Sequence, residues 1–341
     1  MSEPIELARE LGARLRRPAA AGEPGGCCAP ETHQLLAEGG FYAALVPAPE
    51  GAGLDLRDFI AAVAELARGC PQSAWCAASL AVGTARARAQ FDAAGALRAS
   101  AATAPAASAT RSDGGWVVSG TFARCAGARF ATHFLGSARI DGEPGVLRFL
   151  AAREQFELRD EGAGACACVA GIELERALIP EALASASELP VDSWSAAVPP
   201  AALAAVFAGA AARAVEIHEE IVRAEPQTRE LDPDHQRWLG AAMGRAAAAR
   251  LLLREAAAAN VEGVRLGSLA RQSMRYAWDC VQEGLGVGGS AERERREQLE
   301  RIARFMLIGL SDPAALPEEW IARQLARERL ELPLDAAPAI P

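Results

Sequence analysis

The sequence predicts an α+β protein laid out as helices, then strands, then helices, and three observations carry that reading. Apolar residues recur at helical spacing over residues 1 to about 100, β-type residues and turn signals replace that pattern from about residue 103, and helical spacing returns at Pro199-Pro200. There is no strand–helix–strand alternation, which disfavours a doubly wound nucleotide-binding sheet. The expected units are an N-terminal helical domain over 1–102, a central β domain over 103–190, and a C-terminal helical bundle with its tail over 191–341.

Taken in order, Ile5, Leu7, Leu11 and Leu15 keep a three-to-four spacing and mark the first helix. Residues 18–30 read as a loop by their proline and glycine content, and Phe59, Ile60, Val63 and Leu66 mark the next amphipathic run. In the middle of the chain, Gly114-Gly115 signals a turn into Trp116-Val117-Val118-Ser119, and 129–140 reads as a further strand. Asp141-Gly142 signals another turn before 146–151, and 172–179 is a strand-length apolar run, so the region is a small, barrel-like β domain. After Pro199-Pro200, Leu203, Val206, Phe207, Ala210, Ala214, Ile217 and Ile221 share one helical face. Helices over 234–262, 266–285 and 294–310 complete a four-helix bundle.

Composition narrows the function. With 341 residues and 51% apolar side chains the chain can bury a large core, which excludes disorder as a whole-chain answer. The net charge of −9 tells against a nucleic-acid partner, since phosphate binding needs a basic face. All 35 basic residues are arginine, so lysine Schiff-base chemistry and a phosphate-loop lysine are excluded. The longest apolar stretches, such as 201–212, fall short of a membrane span, and the acidic start is unlike a secretory leader. A cytoplasmic protein without a membrane partner is expected. Eight scattered cysteines suggest reduced thiols, and Cys166-Ala-Cys168 lacks the spacing of a zinc site.

Several segments carry a family likeness. Glu38-Gly39-Gly40-Phe41 leads to Leu45-Val46-Pro47, and Gly51-Ala52-Gly53-Leu54 follows. Then come Glu65-Leu66-Ala67-Arg68 with Ser73-Ala74-Trp75, Asp113-Gly114-Gly115-Trp116 with Ser119-Gly120, and Leu285-Gly286-Val287-Gly288-Gly289 before Leu299-Glu300-Arg301-Ile302. In this order and spacing the chain resembles the acyl-CoA dehydrogenase superfamily, including its flavin-dependent monooxygenase branch, over nearly its whole length. The resemblance implies a helical domain, a β domain and a four-helix bundle, usually as a homodimer or homotetramer. It implies FAD, with FMN as the alternative, held between the β domain and the bundle. Thr103, Ser108, Arg124, Ala126 and Gly127 fall at the ring positions, and Gly286, Gly288 and Gly289 where a neighbouring subunit's cofactor tail approaches.

The same comparison exposes departures. The family's aromatic and hydroxyl residues on the flavin strand are replaced by Arg124 and Ala126. A guanidinium can lie against a flavin or fill its slot instead. The dehydrogenase glutamate is replaced by Pro313 with Asp312 beside it, and the monooxygenase histidine after the flavin strand by Phe130, with His133 three residues on. The segment Gly162-Ala163-Gly164 before Cys166 keeps its glycines and loses its hydroxyls.

Each candidate has a plainer reading beside it. His133 reads as a proton donor or as a half-buried strand-end histidine, and Trp75 as a substrate wall or as helix core. Asp312 reads as a relocated base or as a turn residue before proline, and Ser108 as a flavin contact or as part of a connecting loop. Four functions therefore stand open. One is a flavin-dependent oxidoreductase acting on a small molecule, nearer the monooxygenases and fed with reduced flavin by a separate reductase. A second is a flavin-free binding or scaffold subunit, a third a cofactor-independent enzyme that reuses the cavity, and the last an acyl-CoA dehydrogenase.

Overall fold

The computed structural model describes residues 3–20, 30–93, 95–102, 106–159, 169–187, 193–224, 233–258, 263–287 and 293–310. Four helices come first: α1 (Glu3–Ala20), α2 (Pro30–Glu38), α3 (Leu56–Gly69) and α4 (Pro71–Gln90). Asp55 caps α3 by accepting the Asp58 amide at 2.8 Å, and Pro71 opens α4 where its missing N–H costs nothing. The expected α3 stripe of Phe59, Ile60, Val63 and Leu66 is buried throughout. In α1 the buried stripe is Ala8, Leu11 and Leu15, while Leu7 is 37% exposed. Leu7 lies about 100° round the helix from Ala8, so the smaller residue takes the core and the leucine faces out.

Eight strands follow among the described residues: β1 (Ala99–Ala101), β2 (Ala107–Ser112), β3 (Gly115–Ala126), β4 (His133–Ile140), β5 (Val146–Ala152), β6 (Glu157–Arg159), β7 (Val169–Pro180) and β8 (Ala184–Ser187). Their order is β6-β7-β3-β2-β4-β5-β8, with β1 parallel to β4 off that path. The strand expected over 129–140 starts only at His133, because Gly127 turns left-handed (φ 75°) and opens a 3-10 turn at Ala128–Phe130. Phe122, Phe134, Phe149 and Phe156 meet edge to face inside the β domain, with Phe122 and Phe134 centred 4.7 Å apart.

The closing helices are α5 (Ser193–Ala224), α6 (Pro233–Ala258), α7 (Gly263–Val287) and α8 (Arg293–Leu310). α5 begins ahead of Pro199-Pro200 and runs through both, since a proline's φ suits a helix even though it gives no hydrogen bond back. The expected face from Leu203 to Ile221 is buried throughout. The segment Val198–Arg223 is long and apolar enough to cross a membrane, which the shorter 201–212 run had not suggested, and 83% of its apolar window is buried in the protein as a core helix.

Small residues let the helices touch through their backbones. A Cβ on Gly69 would lie 2.0 Å from the Gly12 carbonyl oxygen, and one on Gly209 would lie 2.2 Å from that of Ala64. Across these contacts runs a partly buried ionic cluster in which Arg68 donates to Glu65 (2.8 Å) and, through Nε, to Glu216 (2.9 Å). Burial pulls the Arg68 pKa down, but Glu216 and Glu65 outweigh it, and the value stands above that of an ordinary arginine. Among the described residues Cys70, Cys76, Cys125 and Cys280 are buried and free.

Two outcomes follow. Gly69→Ala should lower the unfolding free energy in urea by about 1–3 kcal/mol through overpacking, whereas Gly240→Ala, with open space around it, should leave stability unchanged or raised. Burial pushes the Cys280 thiol up to about 12. A raised thiol pKa means that the folded state keeps a proton the unfolded chain releases, so this group's contribution to stability is lost as pH rises from about 9. Cys280 should resist maleimide labelling at pH 8 in the native protein, with mass spectrometry detecting its label only after denaturation.

Candidate functional site

The end of β3 and the flank of α4 form the junction between the β domain and the helices. Along β3 the register to β7 shifts between Phe122 and Cys125, and the bulge puts Arg124 in the left-handed region at φ 57°. Arg124 and Ala126 are both half-buried, while Cys125 between them points into the β core. The Ser100 hydroxyl donates to the Ala126 carbonyl at 2.9 Å, which ties β1 to the end of β3. Gly127 then turns the chain, and α4 lies against it closely enough that a Cβ there would meet the Leu80 side chain at 2.7 Å.

α4 is shared by both halves of the molecule. Leu80 and Gly83 meet Gly127 and Ala99 of the β domain, and Leu80 also belongs with Ala74, Ala78 and Val82 to the helical core. Trp75, Ser79, Arg86 and Gln90 share a further face of the helix. Trp75 is half-buried and packs on the edge of the helical core, so both of its sequence readings stay compatible with its position.

A ring stack lies on the 3-10 turn that follows Gly127. The His33 imidazole lies over Phe130 at 4.2 Å and 18°, and its Nδ1 pairs with the Tyr42 hydroxyl at 2.7 Å. Arg98 Nε donates to the Phe130 carbonyl. Burial first, then the Arg98 charge, lowers the His33 pKa. Sequence reasoning missed this histidine, since it sits on α2, distant in sequence from the β strands and outside any motif.

The remaining sequence candidates are dispersed. His133 opens β4, on the face it shares with Leu135 and away from the Phe134 core. Its Nδ1 pairs with Thr132 Oγ1 at 2.9 Å, and burial lowers its pKa, with Glu154 opposing and Arg88 adding to the shift. β1 stands between it and the end of β3, through the Ala99–His133 register and the Ser100 bond. Ser108 is exposed on β2 opposite Ser119, in the half of β3 before Gly120. Gly286 lies in the last turn of α7. Thr103, Gly288, Gly289 and Asp312 lie outside the described residues. So do Cys166 and Cys168, and among the described residues no cluster of potential metal ligands occurs.

No protein-family model matches the chain, and neither does any curated protein sequence. Solved structures do. The 3-HSA hydroxylase from Rhodococcus sp. RHA1 superposes with a TM-score of 0.82 at 19% identity, covering 98% of each chain. XiaF from Streptomyces sp., solved with FADH2 and glycerol, gives 0.81 at 18% identity, covering 99% of this chain and 96% of its own. Butyryl-CoA dehydrogenase from Megasphaera elsdenii gives 0.83 at 17% identity over 97% and 99%.

The pH response of the ring stack is testable. The folded-state pKa of His33 lies below its unfolded value of about 6.5. Between the two values the unfolded chain binds the extra proton, so stability is lost as pH falls through that window. The melting temperature should drop between pH 7.5 and 5.5, and His33→Phe should shallow that drop.

Proposed function

On the acyl-CoA dehydrogenase fold that this chain adopts, we propose a flavin-dependent oxidoreductase of the monooxygenase type, taking reduced flavin from a separate reductase. The observation that carries this reading is the junction where the small-residue end of β3 meets α4. The donor set there fits a flavin. Arg124 offers a planar cation with donors only, suited to the acceptor edge of the ring, and Ala126 and Gly127 leave the backbone close at hand. XiaF, of the same fold, is solved with FADH2, which supports a flavin; we take FAD as the cofactor, with FMN as the alternative.

When bound, the flavin would supply the two-electron redox centre and, in its reduced form, the means of activating oxygen. The chain's own part is to bind, orient and exclude water. Arg124 would hold the ring's electron-rich edge and favour negative charge there, since a guanidinium stays protonated at any working pH. The Ser100–Ala126 bond fixes the end of the strand that would carry the ring contacts. Trp75, on the helix flank beside the junction, would form the apolar wall against which an aromatic or amine acceptor lies. Leu80, packed on Gly127, would keep solvent out along the turn.

A flavin-free relative is favoured by one observation: Arg124 stands where the resemblance places an aromatic wall, and its side chain could fill the slot. A titration of purified protein with FAD separates the two. A saturable complex in the low micromolar range, seen by tryptophan quenching and a shifted flavin spectrum, is expected, with Arg124→Ala weakening it by about tenfold or more. Absence of binding at high micromolar FAD and FMN would overturn the oxidoreductase reading.

A further inference from the structure

Three arginines from three helices converge on Glu216: Arg16 of α1, Arg68 of α3 and Arg213 of α5. Among the described residues they reach two further carboxylates. Arg213 binds Glu220, and Arg68 binds Glu65, which it shares with Arg9 and Arg250. Five arginines thus meet three glutamates, a surplus of two positive charges in a chain whose net charge is −9. Neighbouring acids on α5 and α8 hold arginines of their own, Glu219 with Arg223 and Glu297 with Arg301. A local surplus of this sign draws anions to a surface.

The surplus is not spread evenly. Arg68 gives Nε to Glu216 and Nη1 to Glu65, and those two carboxylates hold its pKa above the ordinary value in spite of burial. Arg16 is the opposite case. It enters the cluster through Nη2 alone, 3.3 Å from Glu216 Oε2, and burial first, then the Arg213 charge, pulls its pKa below the ordinary value. Arg213 Nη1 also stands 3.3 Å from Glu216 Oε2, and its Nη2 faces only the neutral amide oxygen of Gln298 on α8, again at 3.3 Å. Two guanidinium groups therefore share one oxygen at long range, and they stand within twice that distance of each other. A tetrahedral oxyanion accepting bonds of about 2.8 Å bridges such a gap. The Arg16 side chain is 40% exposed and that of Glu216 24%, so this side of the cluster is open to water.

A guanidinium fork suits an oxyanion, and its charge-assisted bonds are shorter and stronger than neutral ones. A singly charged anion would offset half of the surplus, and a doubly charged one matches it. We infer that Arg16 and Arg213 form a phosphate-binding site at the crossing of α1 and α5, with Arg68 neutralising Glu216, and that its ligand is the dianionic phosphate group, free or at the end of a small phosphomonoester. No residue of the β3–α4 junction takes part, so the site does not rest on the oxidoreductase reading.

The experiment is phosphorus NMR of the full chain titrated with inorganic phosphate at fixed ionic strength, chloride making up the balance. The expected result is a saturable line broadening with a dissociation constant of about 1 mM or below. Arg16→Gln should weaken it about tenfold, while Arg14→Gln, exposed on the same helix and outside these pairs, should leave it unchanged. Glu220→Gln should act the other way and tighten phosphate about threefold, because it removes a competing carboxylate; a purely structural ion-pair network would lose melting temperature in both cluster variants and show no such gain. Tighter binding of glycerol 3-phosphate than of phosphate would identify a phosphomonoester as the ligand, and the reverse order the free ion. No saturable broadening with either probe, an affinity unmoved by Arg16→Gln, or an affinity that fails to rise in Glu220→Gln would each overturn the inference.

Discussion

Gly69 and Gly12 bring the backbones of α3 and α1 into direct contact, and Gly209 does the same for α5 against Ala64 of α3. Each approach leaves no room for a methyl group, so the relative placement of these helices is set to within a fraction of an ångström. The alanine-rich composition serves the same end. Ala201, Ala204, Ala205, Ala208 and Ala211 are fully buried on α5, where larger side chains would hold its neighbours further away. The position of α4 follows from this, since α4 packs on both α3 and α5.

Ionic contacts secure the same crossing. Glu65 on α3 accepts from Arg68 and Arg9, and Glu216 on α5 accepts from Arg68 and Arg16, so one cluster ties α1, α3 and α5. Glu65 is 7% exposed along its side chain and would be costly to bury without these partners. Arginine alone fills the basic role. Its fork reaches two carboxylates at once, as Arg68 does, and a lysine ammonium could not reproduce that geometry.

Against this rigid frame the junction beside α4 is where the chain departs from regular packing. A bulge, a left-handed arginine and a left-handed glycine fall within a short stretch of the structure. Departures of this kind cost stability, and they persist where the surrounding structure over-determines them. The aromatic stack of His33 on Phe130 and the Ser100 bond to Ala126 provide that restraint from two sides.

Much of the architecture was legible in the sequence because it depends on local periodicity. The buried stripe of α3, the long apolar face of α5, and the strands around Trp116 and Ile172 follow from spacing alone, and the glycine turn at Gly114-Gly115 sets the hairpin into β3. The order of helices, strands and helices was likewise written in composition shifts along the chain. Tertiary packing decided the rest. It put Ala8 rather than Leu7 into the core, delayed the strand expected from residue 129 until His133, carried α5 through two prolines, and brought His33 from α2 onto Phe130. Periodicity reports which residues share a face, but which neighbour covers that face, and whether a buried hydroxyl finds a partner there, depends on contacts between residues far apart in the chain.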